Sequence, residues 1–283
     1  MILIADGGST KVDWIALNKN KEEVFRVRTL GLNPAVVDQK ELKNRVVNIF
    51  QLINIKEQVK EIFFYGAGCG TLKPSKILQE VFQSVFTNAK INIAEDMLAA
   101  VYAATGLSPA IVCILGTGSN ACFFDGQKAN IITPSLGYIL MDEASGNFFG
   151  KKLLRDFYNK KMPKVLFKEF EKTYNLDIDF VKNSLYQQPN PNTYLATFAK
   201  FLFEFKENIY IRNIIFEGFQ QFFKYRVLPF NKTASTPLYF IGSIAFYFRD
   251  ILEEVANKNH LQITGVIQRP INKLIDFHRN YIN

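Results

Sequence analysis

Short apolar runs and helical spacings alternate along the first part of the chain. Ile2–Ala5 and Val12–Leu17 are apolar runs with the length of buried strands, and residues 23–30 predict a third strand beside them. Further strands are predicted at 61–65 and 90–94, and helices at 39–53, 74–86 and 97–105. Strands that alternate with helices in this way predict a mixed sheet covered by helices.

The pattern restarts after the boundary Gly106-Leu107-Ser108-Pro109. The next elements are predicted to be a strand at 110–115, a turn at 116–120, a strand at 121–124, a hairpin at Asp125-Gly126 and a strand near 130–133. Because the chain begins with the same order, the sequence predicts a weak internal repeat of fold. The remaining predictions are helices at 147–158, 164–174, 179–186, 193–205, 208–228, 244–256 and 270–281, a strand at 238–241 and an edge strand at 262–267.

Composition narrows the class of protein. The 283 residues are 48% apolar and 21% charged, and no apolar run approaches the ~20 residues of a membrane span. The first residues carry no basic region typical of a signal peptide, and the three cysteines lie in apolar or glycine-rich surroundings. These features predict free thiols and a cytoplasmic protein. A net charge of +8 without a long basic run favours an anionic small molecule over nucleic acid as the partner.

Two glycine-rich turns carry the first chemical signal. Asp6-Gly7-Gly8-Ser9-Thr10-Lys11 connects the first two strands, where its glycines and hydroxyls can present donors to an anion. An ordinary hairpin turn is the alternative interpretation of this hexapeptide alone. Gly116-Thr117-Gly118-Ser119-Asn120 repeats the same residue types at the same point of the second half. The pair favours a phosphate site, and the absence of a GxxxxGK[ST] motif excludes a Walker-type NTPase.

Acidic residues at strand ends carry the second signal. Asp6 lies beside the glycines, where it can orient a phosphate-bound Mg²⁺. Asp96 lies between a predicted strand and a predicted helix, so it is either a helix N-cap or a base that accepts the proton of a hydroxyl nucleophile. Asp142 and Glu143 also precede a helix and are either caps or binding residues.

Three stretches resemble the sugar kinase, actin and heat-shock ATPase superfamily. DGGSTKVDW at 6–14 resembles its first phosphate loop, ILGTGSNA at 114–121 its second, and FIGSIAF at 240–246 its adenosine motif. The resemblance implies an α/β fold of two ribonuclease H-like (actin-like) lobes with a nucleotide cleft between them, and ATP with Mg²⁺ as ligands. The nucleotide-binding residues that it implies are Asp6, Gly7, Gly8, Ser9, Thr10, Lys11, Gly116, Thr117, Gly118, Gly242 and Ser243, with Asp6 beside the metal.

Within that superfamily, the chain is most similar to the N-acetylglucosamine kinase group. EDMLAA at 95–100 resembles the stretch that holds the catalytic Asp, here Asp96, and GYILMDEASG at 137–146 resembles a sugar-binding stretch. The substrate-binding residues implied are Asn33, Asp96, Ser119, Asn120, Asp142 and Glu143. The resemblance also implies an N-terminal lobe at 1–107 and a C-terminal lobe at 108–283, with a closing helix at about 270–283 that packs back on the first lobe.

The expected activity is phosphorylation of N-acetylglucosamine or N-acetylmuramic acid by ATP, at the 6-hydroxyl. The chain departs from the group at Met141 and Ala144, where glycines are usual, and at Pro134-Ser135-Leu136. These departures leave a non-catalytic sugar or nucleotide sensor as an alternative. An ATPase that activates a redox partner, like the activators of benzoyl-CoA reductase and 2-hydroxyacyl-CoA dehydratase in the same broader family, is another, although the cysteines do not match its iron–sulfur ligands. The Phe-rich helices predict an aromatic core and are compatible with a homodimer.

Overall fold

The computed structural model describes residues 1–231 and 235–281, which divide into two units. The first unit comprises Met1–Gly106 and the C-terminal segment that starts at Pro270, and the second comprises Leu107–Arg269. Helix α13 (Ile271–Tyr281) packs on other helices and strands of the first unit. Residues 282 and 283 of the predicted closing segment lie outside the described residues.

The first unit is built on a five-stranded sheet with the order β3-β2-β1-β4-β5. Its strands are β1 (Ile2–Gly7), β2 (Lys11–Leu17), β3 (Glu23–Leu30), β4 (Glu61–Gly66) and β5 (Lys90–Glu95). The first three strands form antiparallel hairpins, whereas β4 and β5 continue the sheet in parallel with β1. The helices are α1 (Gln39–Val47), α2 (Phe50–Asn54), α3 (Leu72–Val85) and α4 (Asp96–Thr105), with a 3₁₀ turn at Lys56–Gln58.

Alternation along β2 gives this sheet two buried faces. Trp14 points to one face, where its ring packs against Phe64 and Phe82 and its Nε1 donates to Thr29 Oγ1 at 3.1 Å. On the opposite face, Ile15 packs in a cluster that includes Leu274 of α13. The returning helix therefore completes the cover of a sheet face on which α4 also packs, through Ala99 in the same cluster.

The second unit repeats this topology with the order β10-β9-β6-β7-β8. Its strands are β6 (Ala110–Leu115), β7 (Ser119–Phe124), β8 (Ala129–Asn130), β9 (Leu238–Ile241) and β10 (Gly265–Ile267). As in the first unit, an antiparallel hairpin is followed by two parallel neighbours. The predicted internal repeat is confirmed.

The helices of the second unit depart from several sequence predictions. They are α5 (Gly146–Tyr158), α6 (Lys164–Thr173), α7 (Ile178–Tyr186), α8 (Pro191–Thr197), α9 (Ala199–Glu204), α10 (Ile209–Phe222), α11 (Ser243–Tyr247) and α12 (Arg249–Lys258). The predicted helices at 193–205 and 244–256 are each broken in two, and the one at 208–228 ends in a π-helical turn at Phe223–Val227 and a 3₁₀ turn at Leu228–Phe230. Phe198 and Phe248 lie at the two breaks and are each 1% exposed, so both pack in the core. Hydrophobic periodicity alone does not predict such breaks.

The structure corrects two further predictions of element bounds and confirms the predicted aromatic core. The helix predicted at 39–53 is interrupted after Val47, and the strand predicted near 130–133 extends only over Ala129–Asn130. The predicted aromatic core is confirmed, since Phe198, Phe201 and Phe219 are fully buried. Among the helices of residues 1–231 and 235–281, none combines the length and the apolar character needed to cross a membrane.

His278 on α13 gives the first unit a pH-dependent stability. Its side chain is 2% exposed and its Nε2 lies 3.0 Å from Tyr65 Oη. Burial lowers its pKa from the usual value to about 4. Between pH 6.5 and 4 the His278 side chain is protonated in the unfolded chain and neutral in the folded chain. This residue therefore lowers the free energy of unfolding as the pH falls.

We expect the double variant His278→Phe/Tyr65→Phe to lose this component, which amounts to about 3 kcal/mol of unfolding free energy between pH 6.5 and 4. Denaturant unfolding at several pH values, followed by the fluorescence of Trp14 in the same unit, measures the difference from the wild-type protein. The exposed His260→Asn serves as the control and should keep the wild-type pH dependence. Equal pH slopes for wild type and double variant would contradict the assignment.

Candidate functional site

The first glycine-rich turn is braced from outside the hairpin. Gly8 N donates to Lys11 O at 2.8 Å and closes the turn, while Gly31 N donates to Thr10 O at 3.0 Å. Asn33 is 8% exposed, and its Nδ2 donates to Ser9 Oγ at 2.9 Å. The segment after β3 therefore holds the turn in place, and Gly8 and Thr10 stay exposed to solvent.

Asp6 and Asp96 lie at the same edge of the first sheet. Asp6 is near the end of β1, and Asp96 follows β5. Only β4 lies between β1 and β5, so these two strands are about 10 Å apart in total, which is twice the spacing of neighbouring strands. Asp6 is partly accessible to solvent, but the protein atoms packed around its carboxyl raise its pKa to about 7, and the negative charge of Asp96 adds to the shift. The structure thus brings together the two carboxylates that the sequence singled out in the first half.

Asp96 is not the N-cap of α4. Glu95 occupies the cap position with extended backbone angles (φ −73°, ψ 154°), and its side chain makes no capping hydrogen bond. Asp96 is the first residue of the helix and is partly exposed. The interpretation of Asp96 as a cap is therefore wrong, and its carboxylate lies where the helix dipole favours negative charge.

A divalent cation fits the surroundings of Asp6. The described parts of the chain contain no group of three or more His, Cys, Asp or Glu side chains that could hold a metal by themselves. Two nearby carboxylates at a partly exposed sheet edge nevertheless suit a hard cation that takes few protein ligands and keeps several waters. Mg²⁺ brought in on a polyphosphate is such a cation.

The second glycine-rich turn is held by the first residues of α5. Gly116 N donates to Gly118 O at 2.9 Å within the turn. Gly146 N donates to Gly116 O at 2.8 Å, and Asn147 N donates to Thr117 O at 3.0 Å. Two N–H groups of α5 that have no partner inside the helix are thus satisfied by turn carbonyls.

Asp142 is built into the same turn. It is 6% exposed, and its Oδ1 accepts from Ser119 N at 3.3 Å while its Oδ2 accepts from Asn147 Nδ2 at 2.7 Å. Burial raises the pKa of Asp142, which these two hydrogen bonds partly counteract. Ser119 Oγ also donates to Glu143 O at 2.7 Å. Three of the predicted second-half residues, Ser119, Asp142 and Glu143, therefore lie together.

Neither acid caps α5. Ser145 is the N-cap, and its Oγ accepts from Phe148 N at 3.2 Å. The Glu143 side chain instead pairs with Arg226, Oε2 to Nε at 3.2 Å. Asn120 remains partly exposed, and its Oδ1 accepts from Ala121 N at 2.9 Å.

Three residues around this turn were not among the predicted site residues. Arg226 is 3% exposed, and its Nη1 donates to Thr133 O at 2.9 Å. Lys151 Nζ donates to Tyr138 O, and Asn147 contacts both the turn and Asp142. Arg226 lies among core phenylalanines and gives no local signal, whereas Asn147 could have been noticed because it follows the acidic pair at the start of a helix.

The departures at 141 and 144 leave the local backbone in an unusual conformation. Ala144 is fully buried with φ +58°, and Asp142 has φ +68°. Both angles are in the left-handed region that favours glycine. Met141 is partly exposed, and its Sδ accepts from Leu136 N at 3.4 Å. The chain keeps the backbone of a glycine-containing loop with an alanine in it.

The turn predicted to contact adenosine lies beside the second glycine-rich turn. Gly242 precedes α11 with φ +120°, and a Cβ there would collide with Leu115 O at the end of β6. Gly242 N donates to Ile267 O at 2.9 Å, which fixes the turn to β10 as well. Ser243 is exposed on the same turn.

Known structures share this fold over almost the whole chain, whereas neither a scan against protein-family models nor a search of curated proteins finds a match. The chain is similar to the putative N-acetylglucosamine kinase of Porphyromonas gingivalis, with 36% identity, a TM-score of 0.91 and 99% coverage of both chains. The corresponding protein of Chromobacterium violaceum, also a putative N-acetylglucosamine kinase, matches with 13% identity, a TM-score of 0.78 and 98% coverage of both.

A more distant match confirms the fold class. A ROK family glucokinase of Streptomyces griseus, in complex with glucose and AMPPNP, shares 10% identity and a TM-score of 0.53, with coverage of 98% of this chain and 97% of that one. The predicted α/β, ribonuclease H-like (actin-like) fold is confirmed by these matches. On the strength of the 36% identity along its length, the chain belongs to the N-acetylglucosamine kinase-like family of the sugar kinase, actin and heat-shock ATPase superfamily.

Proposed function

We propose that this protein is a kinase that transfers the γ-phosphoryl group of ATP to the 6-hydroxyl of an amino sugar, N-acetylglucosamine or N-acetylmuramic acid. The observation that carries the proposal is the pair Asp6 and Asp96 at one sheet edge, next to the first glycine-rich turn. The kinship with a putative N-acetylglucosamine kinase supports the substrate class.

In this proposal, the two glycine-rich turns bind the phosphates of ATP. The first turn comprises Gly7, Gly8, Ser9, Thr10 and Lys11, in which the glycines let a phosphate come close and the side chains supply hydroxyls and a cation. At the second turn, Gly116, Thr117 and Gly118 contact the phosphates. The adenosine contacts Gly242 and Ser243. Asp6 would hold Mg²⁺, which neutralises charge on the phosphates.

The sugar is proposed to contact Asn33, Asn120, Asp142 and the neighbouring Ser119 and Glu143. Asp96 orients the attacking hydroxyl and accepts its proton as the bond to phosphorus forms. In a loose phosphoryl-transfer transition state the base acts mainly by positioning, so a carboxylate at a helix N-terminus suits this role. Exclusion of water from the bound substrates would limit ATP hydrolysis.

The cysteines favour the kinase over an ATPase that activates a redox partner. Cys69, Cys113 and Cys122 are all buried. Burial raises the pKa of Cys69 to about 12 and that of Cys113 well above its usual value. A cluster shared with a partner needs accessible thiolates, which these positions do not offer.

A sensor that binds sugar without turnover is the second candidate, and Met141 and Ala144 motivate it. The backbone at Ala144 keeps a left-handed conformation, so the substitution has not removed the loop geometry. We therefore favour the kinase, and a turnover measurement separates the two.

We expect a screen of amino sugars with ATP–Mg²⁺ to show sugar-dependent ADP release that Asp96→Asn lowers about 100-fold or more, because the base is lost while the nucleotide site is kept. The matched control is Asp179→Asn, an exposed Asp in the first turn of α7, which should behave like the wild-type protein. Sugar binding without any ADP release would favour the sensor, and full activity of Asp96→Asn would assign the base to another residue.

We expect Asp6→Asn to raise the stability of the protein above pH 7 and to weaken its use of Mg²⁺. Because its carboxyl has a raised pKa, folded Asp6 holds a proton up to about pH 7, and stability falls as the pH rises from about 4 to 7. The variant should lack this fall, which is worth at most about 4 kcal/mol, and so be more stable above pH 7 without nucleotide. The Mg²⁺ concentration for half-maximal turnover should rise about tenfold or more.

Thermal unfolding against pH and a Mg²⁺ titration of turnover measure the two effects of Asp6→Asn. Asp179→Asn again provides the control. An unchanged Mg²⁺ requirement would show that Asp6 is not part of the proposed metal site. A stability curve parallel to that of the wild-type protein would contradict the raised pKa of Asp6.

A further inference from the structure

We infer that Asn147 is a positioning residue that holds the second glycine-rich turn in its phosphate-binding conformation. This inference rests on the proposed function, since it assigns a partner to the turn at Gly116–Ser119. Asn147 is fully buried, although its side chain is polar. It has three hydrogen bonds to the turn and to the acid beside it.

The amide nitrogen of Asn147 serves two acceptors at once. Nδ2 donates to Thr117 O and to Asp142 Oδ2, both at 2.7 Å. An uncharged side chain with two hydrogens on one nitrogen can make both bonds, whereas Asp has no such donor and Ser has one. Asn147 Oδ1 has no donor among the described residues, so the side chain is placed by its nitrogen and not by its oxygen.

These bonds determine which way the turn presents its N–H groups. Gly116 O accepts from Gly146 N, and Thr117 O accepts from both nitrogens of Asn147. The described peptide bonds are trans, so the N–H that follows each carbonyl points the opposite way. The N–H groups of Thr117 and Gly118 are therefore directed away from α5, in a partly exposed part of the turn. Successive N–H groups with one direction suit a phosphate oxygen.

Helix α5 does not depend on Asn147 for its own start. Ser145 caps the helix through Phe148 N. Loss of the Ser145 hydroxyl weakens the helix and leaves the Asn147 hydrogen bonds to the turn in place. The two residues therefore separate a general loss of stability from a loss of turn geometry.

The test compares Asn147→Ala and Asn147→Asp with Ser145→Ala. Titration calorimetry with MgADP and with the Mg²⁺ complex of AMPPNP, without sugar, gives nucleotide affinity, and thermal unfolding gives stability. We expect both Asn147 variants to bind nucleotide about tenfold or more weakly, as expected for lost hydrogen bonds at a buried site. Ser145→Ala should lower the unfolding temperature and bind nucleotide within about twofold of the wild-type protein.

Turnover gives a second measurement where the wild-type protein is active. The Asn147 variants should raise KM for ATP, and KM for the sugar should rise as well, because Asp142, a proposed contact of the sugar, loses the hydrogen bond from Asn147 Nδ2. If Ala and Asp at position 147 prevent cooperative unfolding, Asn147→Ser, which keeps one donor, should show an intermediate loss of nucleotide affinity.

The outcomes distinguish this inference from the proposed function. Wild-type nucleotide affinity in all Asn147 variants, beside a wild-type protein that binds MgADP, overturns the positioning role alone. Equal losses in Ser145→Ala and Asn147→Ala overturn it too, since helix stability would then explain both. A wild-type protein that binds neither nucleotide overturns the proposed function and this inference together.

Discussion

The geometry of the second glycine-rich turn depends on hydrogen bonds from the first two residues of α5 to the carbonyls of Gly116 and Thr117. These bonds satisfy helix donors and turn acceptors in one step, so neither group is left buried without a partner. The first turn has an equivalent support, in which Asn33 donates to Ser9 and Gly31 donates to Thr10. In both units the turn conformation is imposed by distant segments of the chain, and the glycines only permit it.

This dependence on distant segments explains which parts of the fold and of the site could be predicted from the sequence. Strand positions and turn chemistry are local, so β9 and the placement of Asp96 at the end of β5 followed from apolar runs and glycines. Capping was one of two interpretations of Asp96 and of the pair Asp142 and Glu143, and it is wrong at both helices because Glu95 and Ser145 occupy the cap positions. Arg226 reaches its partners across more than 80 residues of chain, so no local pattern could reveal it.

Ala144 shows how a departure from the family pattern is accommodated. Its left-handed backbone costs an alanine about 1 kcal/mol compared with glycine. The methyl group is fully buried in the core of the second unit, and burial of one such group is worth about 0.8 kcal/mol. The two effects nearly cancel, so alanine can replace glycine there while the peptide between Asp142 and Ser145 keeps its path.

The return of α13 to the first unit has a consequence for synthesis on the ribosome. The face that contains Ile4 and Ile15 is completed by Leu274 and Ile275, which are made after the whole of Leu107–Arg269. At about 5–20 residues per second, that segment takes roughly 8–30 s to translate. During this interval α4 covers only part of that face, and the nascent first unit exposes the apolar area that α13 later buries. The second unit can therefore finish folding before the unit that was synthesised first, and a chaperone has a surface to bind until α13 is made.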